Sequence, residues 1–154
     1  ARRSPRGTGS LRRVDRAASD PNRDGRIDYG VRGRLIGDWF LSTLPRQYEA
    51  AAAQAWSQSL AFVYDNVNPS IIRVSIGGTL PIGLWSVEGN TPDPADVSVA
   101  TGKVVYKLIP YGGNSQPGML AVQMIADDRI RIEVFLGSTA TNPAFTANAL
   151  EYVR

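Results

Sequence analysis

The 154-residue chain contains neither cysteine nor histidine, and these two absences exclude several kinds of chemistry. Without cysteine there is no disulfide, no thiolate nucleophile and no cysteine-ligated zinc, and without either residue there is no haem held by Cys or His. Without histidine there is no imidazole base for Ser-His-Asp or Cys-His catalysis. An enzyme would depend on carboxylate, Lys, Tyr or Ser groups, or on a metal held by oxygen. No enzyme signature emerges from those residues, so we expect a non-enzymatic protein.

Long apolar runs are also absent. No stretch approaches the roughly 18 apolar residues that a membrane-spanning helix needs, so we expect no transmembrane segment. Apolar residues nevertheless make up 43% of the chain. This fraction is ordinary for a globular protein, and the length is sufficient for one hydrophobic core.

Lysine is scarce, and arginine is concentrated near the start of the chain. Residues 1–34 contain ten arginines against four aspartates, a net charge of +6, while residues 35–154 carry a net charge of −3. Such a basic arm attracts nucleic acid, anionic lipid or an acidic protein surface, although a GC-rich genome would produce the same excess of arginine. No aromatic residue precedes Tyr29, which argues against base stacking and nucleic-acid binding. We expect a protein partner or a second copy of the chain.

Residues 20–28 read Asp-Pro-Asn-Arg-Asp-Gly-Arg-Ile-Asp and have the spacing of a calcium-binding loop. Oxygen-bearing side chains recur at every second position, and a glycine follows the third of them, where such a loop turns sharply. Five residues would supply ligands: the side chains of Asp20, Asn22, Asp24 and Asp28, and the backbone carbonyl of Arg26. The pattern predicts calcium as cofactor, and a metal-free turn rich in Asp, Asn and Gly is the alternative.

This segment resembles the calcium loop of EF-hand and dockerin-type proteins over residues 20–31. It departs from them at the twelfth position, where those loops have an acid and this chain has Val31. The resemblance implies that another oxygen completes the shell, with Asp38 as the candidate, or that the site is weak. Weak sites suit extracellular calcium, so an extracellular, periplasmic or cell-envelope location follows.

The rest of the chain is patterned as strands bounded by Gly, Pro, Asn and Asp. In the clearest segment Ile130, Ile132 and Val134 alternate with charged residues, which is typical of an antiparallel sheet with one buried face. Pro45 followed by an alanine-rich run predicts one helix over about 45–56. The predicted strands cover residues 33–41, 60–64, 71–76, 82–87, 103–109, 119–125, 129–136 and 149–154, and a helix from Asn142-Pro143 is the alternative to the last.

These patterns predict two parts of the chain. Residues 1–32 form the basic N-terminal arm with the calcium loop. Residues 33–154 form a mainly β domain, an antiparallel meander of about eight strands that makes a barrel or a curved sandwich, with one helix after the first strand.

Gly37-Asp38-Trp39 resembles the Gly-x-Trp signature near the first strand of lipocalins and related calycin barrels. The resemblance implies that Trp39 closes one barrel end and packs against a late Arg or Lys, for which Arg154 is the candidate through a cation–π contact. It also implies a carrier of a small apolar ligand. The alternative is that Trp39 and Phe40 are ordinary core and rim residues.

Two functions remain open at this point. The first is an exported, calcium-stabilised binding or structural module that docks into a larger surface or envelope assembly through its basic arm. The second is a lipocalin-like carrier, in which bulky inward residues either fill the interior or leave room for one ligand. Four aromatics would then line a ligand cup or pack the core: Trp56, Trp85, Tyr64 and Tyr106.

Overall fold

The computed structural model describes residues 30–43, 59–78, 80–111 and 115–154 of the chain. It is mainly β, and its strands form a closed antiparallel barrel in which each strand pairs with its neighbours in sequence and the last pairs with the first. The strands are β1 (Gly37–Leu41), β2 (Ser59–Tyr64), β3 (Ile72–Ile76), β4 (Gly83–Val87), β5 (Lys103–Pro110), β6 (Gly118–Ala126), β7 (Arg129–Leu136) and β8 (Leu150–Val153). The predicted eight-stranded barrel is therefore confirmed, and closure excludes the sandwich alternative.

The observed strand bounds lie within one residue of the predicted ones except at β1, which begins at Gly37 rather than at residue 33. The backbone N–H groups of Leu35 and Ile36 donate to the carbonyls of Val97 (3.0 Å) and Pro94 (3.1 Å) instead of joining a strand. These partners lie in the connection between β4 and β5, where three short 3₁₀ turns occur that the sequence analysis missed: Glu88–Asn90, Pro94–Asp96 and Val99–Thr101.

Helices contribute little to the part of the chain that the structure describes. The predicted helix over 45–56 lies outside the described residues. The alternative helix from Asn142-Pro143 is wrong, because residues 137–149 contain turns and irregular backbone that lead into β8. Within the described ranges, no helix is long and apolar enough to cross a bilayer.

The meander places alternate connections at the same end of the barrel. One end carries residues 30–36, the β2–β3 and β6–β7 turns, the β4–β5 connection (residues 88–102) and Arg154. We refer to it as the plugged end. The other end carries the β3–β4 and β5–β6 connections and the β7–β8 connection (residues 137–149), and we refer to it as the groove end.

Bulky side chains occupy the inside of the barrel. Alternate residues of β3, β5, β6 and β7 point inward and are buried, and the partly buried Val134 packs against them. The buried set is Ile72, Val74, Ile76, Val104, Tyr106, Leu108, Leu120, Val122, Ile130 and Ile132. Burying one large apolar side chain contributes roughly 1.5–3 kcal/mol to folding. Five aromatic side chains are fully buried within this core: Trp39, Phe62, Trp85, Tyr106 and Tyr152.

The β7–β8 connection runs along the outside of the barrel wall. The Lys103 ammonium donates to the Pro143 carbonyl at 2.9 Å. Two cations lie near the ring of Phe145, whose centroid is 5.2 Å from the Arg131 guanidinium carbon and 5.9 Å from the Lys103 nitrogen. These contacts hold the connection against the outer face of β5 and β7, and they position one wall of the site described next.

Candidate functional site

A groove of about 590 Å³ lies in the barrel wall at the groove end. It is set where β7 loses its partner on one side, because the β7–β8 pairing ends at Ile132↔Leu150 while β7 continues to Leu136. The second half of β7 therefore has an edge without β8 beside it. The groove is lined by Leu80, Pro81, Glu133, Val134, Phe135, Ala147, Asn148 and Leu150.

The groove is lined mainly by apolar residue types, but polar and apolar atoms contribute about equally to its surface. Six of its eight lining residues are apolar, and the two others are Glu133 and Asn148. Its wall contains three consecutive residues of β7, 133–135, whose side chains point alternately to the outer and inner faces. The groove thus reaches from the outer surface to the margin of the core at Val134, and among its lining residues Glu133 is the one with an ionisable side chain.

Glu133 is the most unusual of these residues, because only 5% of it is exposed although it lies on the outer face of the barrel. Its carboxylate accepts two hydrogen bonds, both from Thr146: one from the backbone N–H at 2.7 Å and one from the hydroxyl at 2.6 Å. No cation of the described residues lies within ion-pair distance of it. The nearby Arg131 and Lys103 are directed to Phe145 instead.

The aromatic residues considered for a ligand cup belong to the core where the structure describes them. Trp85 and Tyr106 are fully buried and Tyr64 is 8% exposed, while Trp56 lies outside the described residues. The Trp85 indole donates to the carbonyl of Gln116 at 2.8 Å. Its polar atom is therefore satisfied within the protein.

Two tyrosines share a polar cluster at the plugged end. The Tyr106 hydroxyl donates to the carbonyl of Pro92 at 2.6 Å, and the Tyr64 hydroxyl donates to the carboxylate of Asp93. The same carboxylate oxygen accepts the N–H of Ala95 at 2.9 Å and so caps the 3₁₀ turn. Burial raises the pKa of Tyr106 well above its usual range, and the nearby Asp93 and Tyr64 raise it further. The cluster fastens the β4–β5 connection over the barrel.

Trp39 and Arg154 complete the plugged end. The Trp39 indole donates to the carbonyl of Leu35 at 2.8 Å, and the guanidinium carbon of Arg154 lies 3.8 Å from the Trp39 ring centroid. The contact that the Gly-x-Trp resemblance implied is present. The guanidinium also donates to the preceding turn, to the carbonyls of Val31, Arg34, Leu35 and Ile36. This network fixes residues 31–36 across the barrel end opposite the groove.

A second charged cluster lies on the outer face of β3. The Arg73 guanidinium donates to Asp65 Oδ2 from Nε at 2.9 Å and from NH2 at 2.7 Å, and it also donates to the Ser86 hydroxyl. Its central carbon lies 3.5 Å from the centroid of the Tyr111 ring. The N–H of Asn68, then the Arg73 guanidinium and the N–H of Val67, lower the pKa of Asp65 to about 2. The cluster is engaged with its own partners and is a structural cross-link.

The predicted calcium ligands Asp20, Asn22, Asp24, Arg26 and Asp28 lie outside the described residues. Val31, at the twelfth loop position, is 50% exposed. Asp38, the candidate for the missing ligand, is exposed on β1 between two buried residues. No group of three or more Asp or Glu in the described ranges is placed to hold a metal.

Sequence reasoning missed the groove and the burial of Glu133. The alternation in β7 predicts that Glu133 lies on the outer, solvent-facing side of the sheet, and its side chain does lie on the outer face of the barrel. The residue is buried because the β7–β8 connection returns over it through Thr146. No local pattern signals that return.

Comparison of the chain with protein-family models, with curated proteins and with solved structures finds no significant match.

Proposed function

We propose that the barrel is a non-enzymatic binding module that holds a small, largely apolar ligand in the groove beside β7. The observation that carries this proposal is the groove itself, about 590 Å³ in volume, with six apolar residues among the eight that line it. Ligand sites typically have volumes of 300–1,000 Å³, an apolar lining and a few polar groups that fix orientation. The groove has a volume in this range and mostly apolar residue types, and polar atoms make up about half of its surface.

The position of the groove distinguishes this proposal from a carrier that encloses its ligand on the barrel axis. Bulky side chains pack the described inward positions, including the fully buried Phe62 and Trp85. The ligand is accordingly placed in the wall, between the free edge of β7 and Leu80-Pro81. The closed barrel and the Trp39–Arg154 contact support a likeness to calycin carriers in architecture, and the groove supports a different location for the ligand.

The neutral fluorophore N-phenyl-1-naphthylamine is a suitable probe, because its emission rises in apolar surroundings. We expect saturable binding with a roughly micromolar Kd, which is ordinary for a ligand of this size. Ala147 lines the groove and is exposed, so Ala147→Trp should fill the groove without disturbing the core. The matched control is Ala144→Trp, an exposed position in the same connection that is not part of the lining.

The expected result is loss of probe binding in Ala147→Trp and unchanged binding in Ala144→Trp. Circular dichroism and the melting temperature of both variants establish that the barrel is intact. The proposal is overturned if the native protein takes up no probe, or if both variants bind it equally well.

A further inference from the structure

The burial of Glu133 indicates which chemical group a ligand of the groove would carry, and this inference rests on the proposed function of the groove. Carboxylates are almost never buried without a partner, because the lost hydration of the charge is costly. Glu133 is 95% buried, since only 5% of it is exposed, and Thr146 provides both of its hydrogen bonds. Two neutral donors from one residue leave the negative charge itself without a counter-charge among the described residues.

The cations on the neighbouring part of the barrel wall have other partners. Lys107 on β5 pairs with Glu88 at 3.0 Å. Arg131 lies two residues before Glu133, and its guanidinium carbon is 5.2 Å from the Phe145 ring centroid. The Lys103 ammonium donates to the carbonyl of Pro143. Arg131 and Lys103 therefore contact the same β7–β8 connection that buries Glu133, at Phe145 and Pro143. Glu133 itself lines the groove.

We propose that the groove selects amphiphilic amines: an apolar body occupies the surface around Val134 and Leu150, and the protonated amine pairs with Glu133. An ammonium group has three donors. The carboxylate can accept one or two of them, and the side-chain oxygen of Asn148, the other polar lining residue, can accept another. Thr146 orients the carboxylate through its N–H and hydroxyl, so Thr146 is a positioning residue.

The test is a competition experiment at pH 7.5 with N-phenyl-1-naphthylamine as the displaced probe. Decylamine, decanol and decanoate share one chain and differ in the charge of the head group, since the amine is protonated and the acid is ionised at this pH. We expect decylamine to displace the probe at a concentration about tenfold or more below that of decanol, because a hydrogen bond to a charged partner is stronger than one between neutral groups. Decanoate should be the weakest competitor.

Two variants separate recognition from structural support. Glu133→Gln keeps the size of the side chain and removes its charge, so the ratio between decanol and decylamine should fall to near one while the neutral probe still binds. Thr146→Val removes the hydroxyl donor but keeps the charge, so decylamine should remain the preferred competitor. A purely structural Glu133 predicts that each variant changes the binding of all three competitors by the same factor.

The outcomes distinguish this inference from the proposed function. If the probe binds and the three head groups compete equally, the amine preference is wrong and the apolar site stands. If Glu133→Gln retains the full preference for decylamine, another group recognises the amine and the inference is overturned. If no probe binds to the native protein, both proposals fail.

Discussion

The guanidinium carbon of Arg154 lies 3.8 Å from the centroid of the Trp39 ring. This contact joins the end of β8 to β1, next to the short pairing of Phe40 with Val153 that closes the barrel. The guanidinium also donates to backbone carbonyls of the turn before β1. One side chain thus links the first strand, the last strand and the segment that covers the plugged end.

Although Arg154 lies at the margin of the core, we expect its replacement to destabilise the barrel strongly. We expect Arg154→Ala to lower the free energy of unfolding by about 2–3 kcal/mol, because it removes a cation–π contact and several hydrogen bonds from a charged donor. Arg154→Lys should lose part of this stabilisation, because an ammonium group cannot reproduce the planar set of N–H donors of a guanidinium. Urea unfolding followed by tryptophan fluorescence provides the measurement.

Arg129→Ala is the matched control for this substitution. Arg129 pairs with Glu151 at 3.3 Å on the neighbouring part of the wall, with both side chains more than 40% exposed. Exposed pairs contribute at most about 1 kcal/mol. Equal losses in Arg154→Ala and Arg129→Ala would contradict the role assigned to the Trp39 contact.

Asp65 predicts a specific loss of stability in acid. Hydrogen bonds from the Asn68 N–H, the Arg73 guanidinium and the Val67 N–H lower its pKa to about 2 in the folded protein, against 3.8 for an ordinary aspartate, so these bonds stabilise the fold fully above pH 4. As the pH falls from about 4 toward 2, the folded state takes up this proton less readily than the unfolded state, and the stabilisation is lost.

Asp65→Asn should therefore be less stable than the native protein at neutral pH, and the difference should shrink as the pH falls through this window. Urea midpoints measured from pH 7 to pH 2 give the comparison. Glu88→Gln is the control, because Glu88 pairs with Lys107 at 3.0 Å while both side chains are 55% exposed. A difference between Asp65→Asn and the native protein that stays constant down to pH 2 would rule out this titration.

The raised pKa of Tyr106 predicts a loss of stability at alkaline pH. Burial raises the pKa of its phenol in the folded protein, whereas the unfolded chain ionises near pH 10. Stability from this difference is present below pH 10 and is lost as the pH rises above it, by up to about 1.4 kcal/mol per pH unit for one proton. Tyr106→Phe should cost about 1 kcal/mol at pH 7 through the lost bond to Pro92 and should flatten the alkaline decline. Parallel declines for both proteins would refute the assignment.

The strands and their antiparallel order were predictable from sequence because their signals are local, whereas the closure of the sheet was left open between a barrel and a sandwich. Ile130 and Ile132 alternate with charged residues, and turn residues separate the strands, so both the strand bounds and the antiparallel order follow. At β1 the local pattern predicts a strand that begins too early, at residue 33 instead of Gly37. Leu35 and Ile36 have the composition of a strand, yet their N–H groups bind carbonyls of the β4–β5 connection, and this partner is distant in the chain.

The candidate site was not predictable, because it too depends on contacts between segments that are distant in the chain. The groove exists because β8 starts too late to pair with the second half of β7, and Glu133 is buried because Thr146 returns over it. Both features depend on the path of residues 137–149, for which the sequence contains no periodic pattern. Trp39 and Arg154 form the exception, since their contact follows from a motif resemblance rather than from a local pattern.

Calcium binding at residues 20–28 stays a prediction, and its missing acid allows a direct test. The twelfth position of the loop is Val31 where EF-hand loops have a bidentate glutamate. We expect the native protein to bind calcium weakly, with a Kd of roughly 10⁻⁴–10⁻³ M, as extracellular modules do. Val31→Glu should supply the absent carboxylate and tighten binding by about tenfold or more, because the number of charged ligands sets the affinity.

The same position provides the control, because Val31→Gln adds a side chain of similar size without the charge. Val31 is 50% exposed, and only its backbone carbonyl accepts the hydrogen bonds from Arg34 and Arg154, so neither substitution removes a side-chain contact of the core. Calorimetric titration with millimolar calcium should rank Val31→Glu above the native protein, and Val31→Gln close to the native protein. If Val31→Glu and the native protein both give flat titrations and unchanged melting temperatures in calcium, residues 20–28 form a metal-free turn.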